Sequence, residues 1–483
     1  MTMPTCSGTS APRALPFPAC GGAGRRARPL RRNALAARAL RGASKTSFGC
    51  VRDLGKKAVA GRCEKNGVLV SRAAADGAMG SGQSQSELAD GKITESAAVA
   101  SVMKAIMGAG CFALPWAFAN GGLALTTGSM FFMALVCLKT LGYMFKARDA
   151  ALNLDGGKKL SDYENYVDIS ELTLGGKGSL AVRIIMCLTC FGVCSAYLVF
   201  LSSTMVTIAS GYSWPAALQN EKTMIYVMSP LMILLAFLRS VSAASLISIF
   251  GNVSVVVGMA FVLADALKNP VIMSSLPMAV PTAFSAYVGS VAFLFLVHFA
   301  LPDIEANMRK RKDFMGAAGK GYAFCVLICL AFGSVGALGY GPQVKSVAIA
   351  MLEGGVVAVT VKLLLCANVL ATFPLIVRSS FTTIESALGG LTTGPSNLMR
   401  TLYVLAAAFC AASIPSFGKL VGLVGGVACT ALGMTVPVIM LYSVNRKVTK
   451  GSGKPIMTAF DKVFSPLILV LSAIVMALVI ITS

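Results

Sequence analysis

The richest chemistry in this chain lies in a segment with no acid and no hydroxyl: Lys104-Ala-Ile-Met-Gly108-Ala-Gly110-Cys-Phe-Ala-Leu-Pro115-Trp-Ala-Phe-Ala-Asn-Gly-Gly122. It is apolar and of membrane length, with Gly-Ala-Gly near its middle and a proline shortly after. Lipid offers no hydrogen bonds, so a spanning helix normally satisfies its whole backbone internally. A break leaves N–H and C=O groups at membrane depth. Such groups are tolerated only when buried in protein or facing a watery cavity, and there they can hold a polar solute. Pro115 has no N–H, so the carbonyl of Cys111 is expected to lose its helical partner. The segment Phe293-Leu-Phe-Leu-Val-His298-Phe-Ala-Leu-Pro302-Asp303-Ile-Glu305 repeats the device, with Pro302 freeing the carbonyl of His298. Half-helix N–H ends suit a substrate carboxylate, and freed carbonyls suit an ammonium or a coupling cation. The competing reading is that these glycines and prolines only kink helices or let them pack closely.

Other polar residues cluster near these two segments. Lys104 lies one turn before Gly108 and shares its face. A charge there is costly in lipid, so the side chain either points into the protein or snorkels to the inner surface. His298 is the only histidine in the chain. Imidazole titrates near neutrality, so it can sense pH or bond the substrate; equally, it can stay neutral and donate to a freed carbonyl. Thr372, close to Pro374, offers a hydroxyl either to a cation or to helix packing. Asp303 and Glu305 adjoin the run Arg309–Lys312 and read as rim ion pairs, with a gate as the alternative. Lys139 and Lys362 sit in or near apolar spans, and no role is assigned to them.

The elements that must position these groups are transmembrane helices. The chain has 483 residues, 56% hydrophobic and 13% charged, against roughly a quarter charged in soluble proteins. Its mean hydropathy is +0.75. A helix needs about 20 residues to cross a bilayer. Windows of that kind occur at 96–118, 122–145, 180–209, 223–239, 242–267, 283–306, 316–340, 354–379, 398–414, 417–444 and 462–482. Counting Lys and Arg in alternate loops gives 19 on one side and 4 on the other. The positive-inside rule then places the amino terminus inside and the carboxyl terminus outside. Spans 1 and 6 each open a set of five, so the two interruptions fall at matching places of an inverted repeat, where transporters bind at mid-membrane. The expected fold is all-α: eleven transmembrane helices, a 5+5 inverted repeat plus one helix, with helices 1 and 6 discontinuous.

The net charge of +22 is unevenly spread. Residues 1–75 carry fifteen Lys/Arg and only two acids, Asp53 and Glu64. A basic, acid-poor stretch containing Ser, without an apolar core, fits an organellar transit peptide over 1–90, ahead of a transporter domain at 91–483. Cleavage is expected around 70–76, with plastid ahead of mitochondrion; a basic cytosolic tail is the alternative, with vacuolar or plasma-membrane residence. A nucleic-acid partner would need a folded basic face with stacking aromatics, and none is apparent.

Fourteen cysteines form no disulfide framework, since most lie in apolar spans where Cys packs as a small hydrophobe. Cys187, Cys190 and Cys194 share a helix face, as do Cys325 and Cys329, but no tetrahedral Cys/His spacing appears and no metal is expected. An intramembrane enzyme would need paired acids, a nucleophile with its base, or metal ligands at depth. Neither catalytic residues nor a cofactor are expected. Broken helices around one site also suit alternating access better than an open pore.

At these residues the chain resembles the amino acid/auxin permease family, within the amino acid–polyamine–cation transporter superfamily. The matching stretches are Ala105-Ile-Met-Gly-Ala-Gly-Cys-Phe-Ala-Leu-Pro115, Val297-His-Phe-Ala-Leu-Pro-Asp-Ile-Glu305, Ala371-Thr-Phe-Pro374 and Ile414-Pro-Ser-Phe-Gly418. The resemblance covers roughly residues 95–450. It implies a LeuT-like arrangement and transport of amino acids, often neutral ones, with protons or sodium. It also implies that Gly108, Ala109, Gly110 and Cys111 hold the substrate's carboxylate and amino groups, that Leu296, Val297 and His298 form the span 6 side, and that Tyr197 is a gate or pocket wall. Sodium-coupled relatives typically carry Asn where this chain has Lys104, and some proton-coupled relatives carry Lys. An ammonium in the sodium space, releasing and regaining a proton, implies proton coupling or sodium independence. A sensor that binds amino acid without moving it would share the same fold and site.

Overall fold

A computed structural model describes residues 93–154, 159–212, 214–239, 244–268, 276–414, 416–451 and 453–482. The extension 1–90 and its expected cleavage site lie outside the described residues. The helices, in chain order, are α1 (Glu95–Ile106), α2 (Leu114–Gly121), α3 (Leu123–Leu154), α4 (Tyr166–Gly211), α5 (Glu221–Ala236), α6 (Ala244–Ala266), α7 (Ser290–Phe295), α8 (Leu301–Ala306), α9 (Phe314–Tyr340), α10 (Val356–Ala387), α11 (Thr393–Ser413), α12 (Phe417–Val424), α13 (Val436–Lys450) and α14 (Ala459–Thr482). The β pairing among the described residues is one isolated bridge, Ile93 with Met308.

By length and composition, six described elements can cross a membrane: α3, α4, α9 with its flanking turns, α10, the α12–α13 run and α14. The α1–α2 pair, bent by 49°, makes a seventh if taken as one span. The windows at 223–239, 242–267, 283–306 and 398–414 fall on α5, α6, the stretch through α7 and α8, and α11, which contain helix but fall outside this set. Two bounds differ most from the sequence reading. Helix α3 continues to Leu154, past the expected end at 145. Helix α4 begins at Tyr166 rather than 180, because a short helical stretch precedes the span and joins it across a kink at Gly175, whose φ of 77° only glycine adopts easily.

Helix starts are capped as their sequences dictate. The Thr94 hydroxyl accepts from the Ala97 N–H at the start of α1, Asn165 accepts from Asp168 N–H at α4, and Asn220 accepts from Lys222 and Thr223 N–H at α5. In α1, Glu95 in the first turn and Lys104 in the last complement the helix dipole.

Two features hold the centre. Phe112 packs edge-on against Phe332 of α9 at 5.8 Å and, tilted, against Phe200 of α4 at 6.1 Å, and Phe200 meets Phe417 of α12 at 5.4 Å. The second feature is a backbone seam. A π-helical stretch, Ser285–Gly289, leads into α7, and two more, Gly425–Cys429 and Ala431–Thr435, separate α12 from α13. A Cβ on Gly289 would lie 2.1 Å from the Gly422 carbonyl oxygen, and one on Gly425 would lie 2.1 Å from that of Gly289. Only glycine permits that approach.

Candidate functional site

Helix α1 stops at Ile106. Met107 and Gly108 are extended, with φ/ψ of −87°/93° and −126°/−161°, and the chain resumes as a 3-10 turn, Ala109–Ala113, before α2. Glycine at 110 explains how the turn fits: a Cβ there would lie 2.7 Å from the Phe293 ring and 3.2 Å from Leu294. The turn therefore packs directly on α7. Ala109, Gly110 and Cys111 are buried, and Gly108 is half-buried. One backbone expectation is corrected here. The Cys111 carbonyl accepts from the Leu114 N–H, because the tight turn brings that donor within reach although Pro115 offers none.

Helix α7 ends at Phe295, residues 296–300 are non-helical, and α8 begins at Leu301 with Pro302 in its first turn. The open end of α7 is satisfied from neighbouring helices. The Phe295 carbonyl accepts from Tyr322 Oη at 2.8 Å, from Cys137 Sγ at 3.3 Å and from Val297 N–H at 2.9 Å. Leu296 and Val297 are buried. His298 is fully buried and turns its ring toward α3, with Nε2 at 2.9 Å from Thr140 Oγ1 and 3.2 Å from the Cys137 carbonyl. Cys137, Thr140 and Tyr322 do not stand out in the sequence; each is distant from the residue it serves and matches no motif.

Tyr197 and Thr372 come together. The Thr372 hydroxyl lies 3.5 Å from Tyr197 Oη and also reaches the Asn368 and Val369 carbonyls, at 3.0 and 3.1 Å. Tyr197 is one turn before Phe200, the residue that meets Phe112, so the α4 side of the site adjoins the 3-10 turn. Lys104 is half-buried in the last turn of α1, beside Met103, whose carbonyl accepts from Cys325 Sγ at 3.7 Å.

The acids after Pro302 are placed differently from the sequence reading. Glu305 is buried and takes a bidentate pair from Arg148 of α3, at 2.9 and 3.1 Å, instead of a rim contact with 309–312. Arg311 of that run pairs with Glu164. Asp303 sits in the first turn of α8, half-buried. The reason is geometric: α3 passes α8 closely enough for a guanidinium fork to meet a carboxylate face on. Lys139 and Lys146 both pair with the buried Asp461 of α14, at 3.1 and 2.7 Å. Lys362 donates to the Leu352 carbonyl at 2.8 Å.

Around α1 and α8 the chain is stitched by peptide groups. Ile93 N–H donates to the Asn307 carbonyl at 2.8 Å, and Arg309 N–H donates to the Ile93 carbonyl at 3.0 Å. Lys320 of α9 pairs with Glu95 at 2.7 Å. A separate cavity of about 460 Å3 is lined by Asp162, Tyr163, Asp168, Glu171, Leu172 and Gly176, and shares no residue with the interrupted segments. Among the described residues, no three His, Cys, Asp or Glu are grouped to hold a metal ion.

Comparison with known proteins bears on family and fold. A family model described as "Transmembrane amino acid transporter protein" matches residues 91–483. Amino acid transporter ANT1 of Arabidopsis thaliana is 25% identical over 360 residues, covering 70% of this chain and 81% of the relative. Proton-coupled amino acid transporter-like protein pathetic of Drosophila melanogaster is 25% identical over 376 residues, covering 72% and 76%. Among solved structures, MhsT in complex with L-phenylalanine shares the fold, with a TM-score of 0.51 and 12% identity over 80% of this chain and 97% of that one.

Proposed function

We propose, from the premise that this chain belongs to the family of transmembrane amino acid transporter proteins, that it is a secondary active transporter moving amino acids across a membrane by alternating access. The observation that carries this reading is the packing of the Ala109–Ala113 turn against α7 at Gly110 and Phe293, which sets two interrupted helices side by side. A polar solute can be held between such ends by peptide dipoles without a charged side chain. We read Gly108, Ala109, Gly110 and Cys111 as the ground for the substrate's carboxylate and amino groups. Leu296 and Val297 complete the facing side, with Tyr197 as a wall. The scarcity of charged side chains here favours neutral amino acids.

The fold reading is eleven spans. The α1–α2 pair, the Ser285–Ala306 run and the α12–α13 run each count as one, and α3, α4, α5, α6, α9, α10, α11 and α14 supply the rest. The loop charges put the amino terminus inside and the carboxyl terminus outside. The basic extension favours a plastid envelope, with vacuolar or plasma membrane as alternatives.

The coupling ion in this reading is the proton. Lys104, in the last turn of α1, holds an ammonium in the space that a sodium ion would otherwise take, and Thr372 offers a hydroxyl on α10. Proton coupling is also in the name of the Drosophila relative. The decisive experiment is uptake of a labelled amino acid panel by the full chain in liposomes, under imposed proton or sodium gradients. Saturable uptake of neutral amino acids, driven by the proton gradient, is expected. Binding without flux would make the protein a sensor, and neither binding nor flux would overturn the reading.

A further inference from the structure

The only histidine of the chain is held in a way that fixes which nitrogen can work. Nε2 of His298 faces two oxygens, Thr140 Oγ1 at 2.9 Å and the Cys137 carbonyl at 3.2 Å. A carbonyl can only accept. The Thr140 hydroxyl spends its own proton on the Val136 or Cys137 carbonyl, at 2.9 and 3.2 Å, so toward the imidazole it too accepts. Both partners therefore require the proton on Nε2. Nδ1 is left as a bare lone pair. It is buried and has no hydrogen-bond partner among the described residues. A Cβ on Gly433, in the π-helical stretch Ala431–Thr435, would lie 2.9 Å from it. The lone pair thus looks into the seam between the interrupted segment and that stretch.

We propose that Nδ1 of His298 is the site at which the transported proton binds and from which it is released. The inference rests on the transport reading and names the proton-carrying atom within it. The physical link is the absence of an acceptor. A protonated Nδ1–H in the arrangement seen here would be a buried cationic donor facing a glycine, which is strongly disfavoured. Protonation therefore favours a conformation in which Ala431–Thr435 has moved and Nδ1 meets water or substrate. Closure of the seam favours release. Differential proton affinity of two conformations is what coupling requires. Helix α3 presents Cys137 and Thr140, α9 presents Tyr322, whose hydroxyl is given to the Phe295 carbonyl, and α4 presents Tyr166, whose hydroxyl is given to the Leu432 carbonyl. Asp303, the nearest acid in sequence, is half-buried in the first turn of α8, and Glu305 is paired with Arg148. The proton that binds is the proton that leaves, and no other bond changes.

Two measurements on the full chain test this. The first is 15N NMR of histidine-labelled protein carrying a tag without histidine, which gives one imidazole. A bare Nδ1 with protonated Nε2 at high pH is expected, with Nδ1 protonating over the pH range in which uptake changes. The opposite tautomer, or a ring that never titrates there, overturns the proposal. The second is His298→Gln, whose amide keeps a donor for Thr140 and the Cys137 carbonyl but cannot titrate. The ratio of gradient-driven accumulation to exchange at equal pH, both measured in the variant, should fall to the no-gradient level. If the variant still accumulates with an unchanged pH profile, His298 carries no transported proton although the transport reading stands. If wild type moves no amino acid, the transport reading fails, and the NMR result still decides whether this nitrogen binds a proton. If the variant does not fold, the NMR titration decides alone.

Discussion

At the scale of single residues, the site is a set of polar groups whose partners lie far away in sequence. Arg148 and Glu305 are the clearest instance, a buried bidentate pair. Removing one partner leaves a buried charge alone, at a cost of about 3–5 kcal/mol, whereas replacing both by apolar residues is often nearly neutral. Glu305→Leu alone should therefore lower the thermal midpoint in detergent sharply, and Arg148→Met with Glu305→Leu should recover most of it. Equal loss in the double variant would mean the pair is not what holds α3 to α8. Lys104 offers a second measurement. Lys104→Asn should alter the pH or sodium dependence of uptake in liposomes; an unchanged profile would confine this lysine to a snorkelling role. What the sequence disclosed here was uneven. Gly108, Gly110, Pro115 and Pro302 announce themselves, because glycine and proline act on their own backbone. Thr140, Tyr322 and Asp461 do not, because a hydroxyl or carboxylate acquires meaning only from what folding brings beside it.

At the scale of elements, glycine governs how near two segments can come. Gly289, Gly422 and Gly425 let the stretch before α7 touch the α12 side backbone to backbone. Gly289→Ala must push a carbonyl aside, and overpacking of this kind costs about 1–3 kcal/mol or more. The expected outcome is a lowered thermal midpoint, with Gly289→Leu failing to accumulate as folded protein. A variant as stable as wild type would mean that the seam is looser than described. The three π-helical stretches had no sequence signal. No residue type marks an inserted backbone position, and such insertions tend to occur at functional places. The first stretch of α4, before Gly175, was also missed. Asp168 and Glu171 make it too polar to read as part of a span.

At the scale of the whole molecule, class and family were legible because both are written in bulk properties and local motifs. Hydropathy announced a membrane protein, and the span 1 motif pointed to the family that the 91–483 match establishes. Orientation and targeting belong to the same scale and have their own tests. A fluorescent fusion to residues 1–90 should enter plastids, and cytosolic fluorescence would assign the extension to another use. Cysteine labelling from either side of sealed vesicles should find the carboxyl terminus on the side opposite the Arg309–Lys312 loop. Finally, the bridge at Ile93 has a mechanical consequence. Its peptide groups grip both Asn307 and Arg309, so the entrance to α1 and the exit from α8 are one joint rather than two. A swing of either half-helix must drag the other, and tension applied to the chain upstream of Ile93 is delivered to both at once.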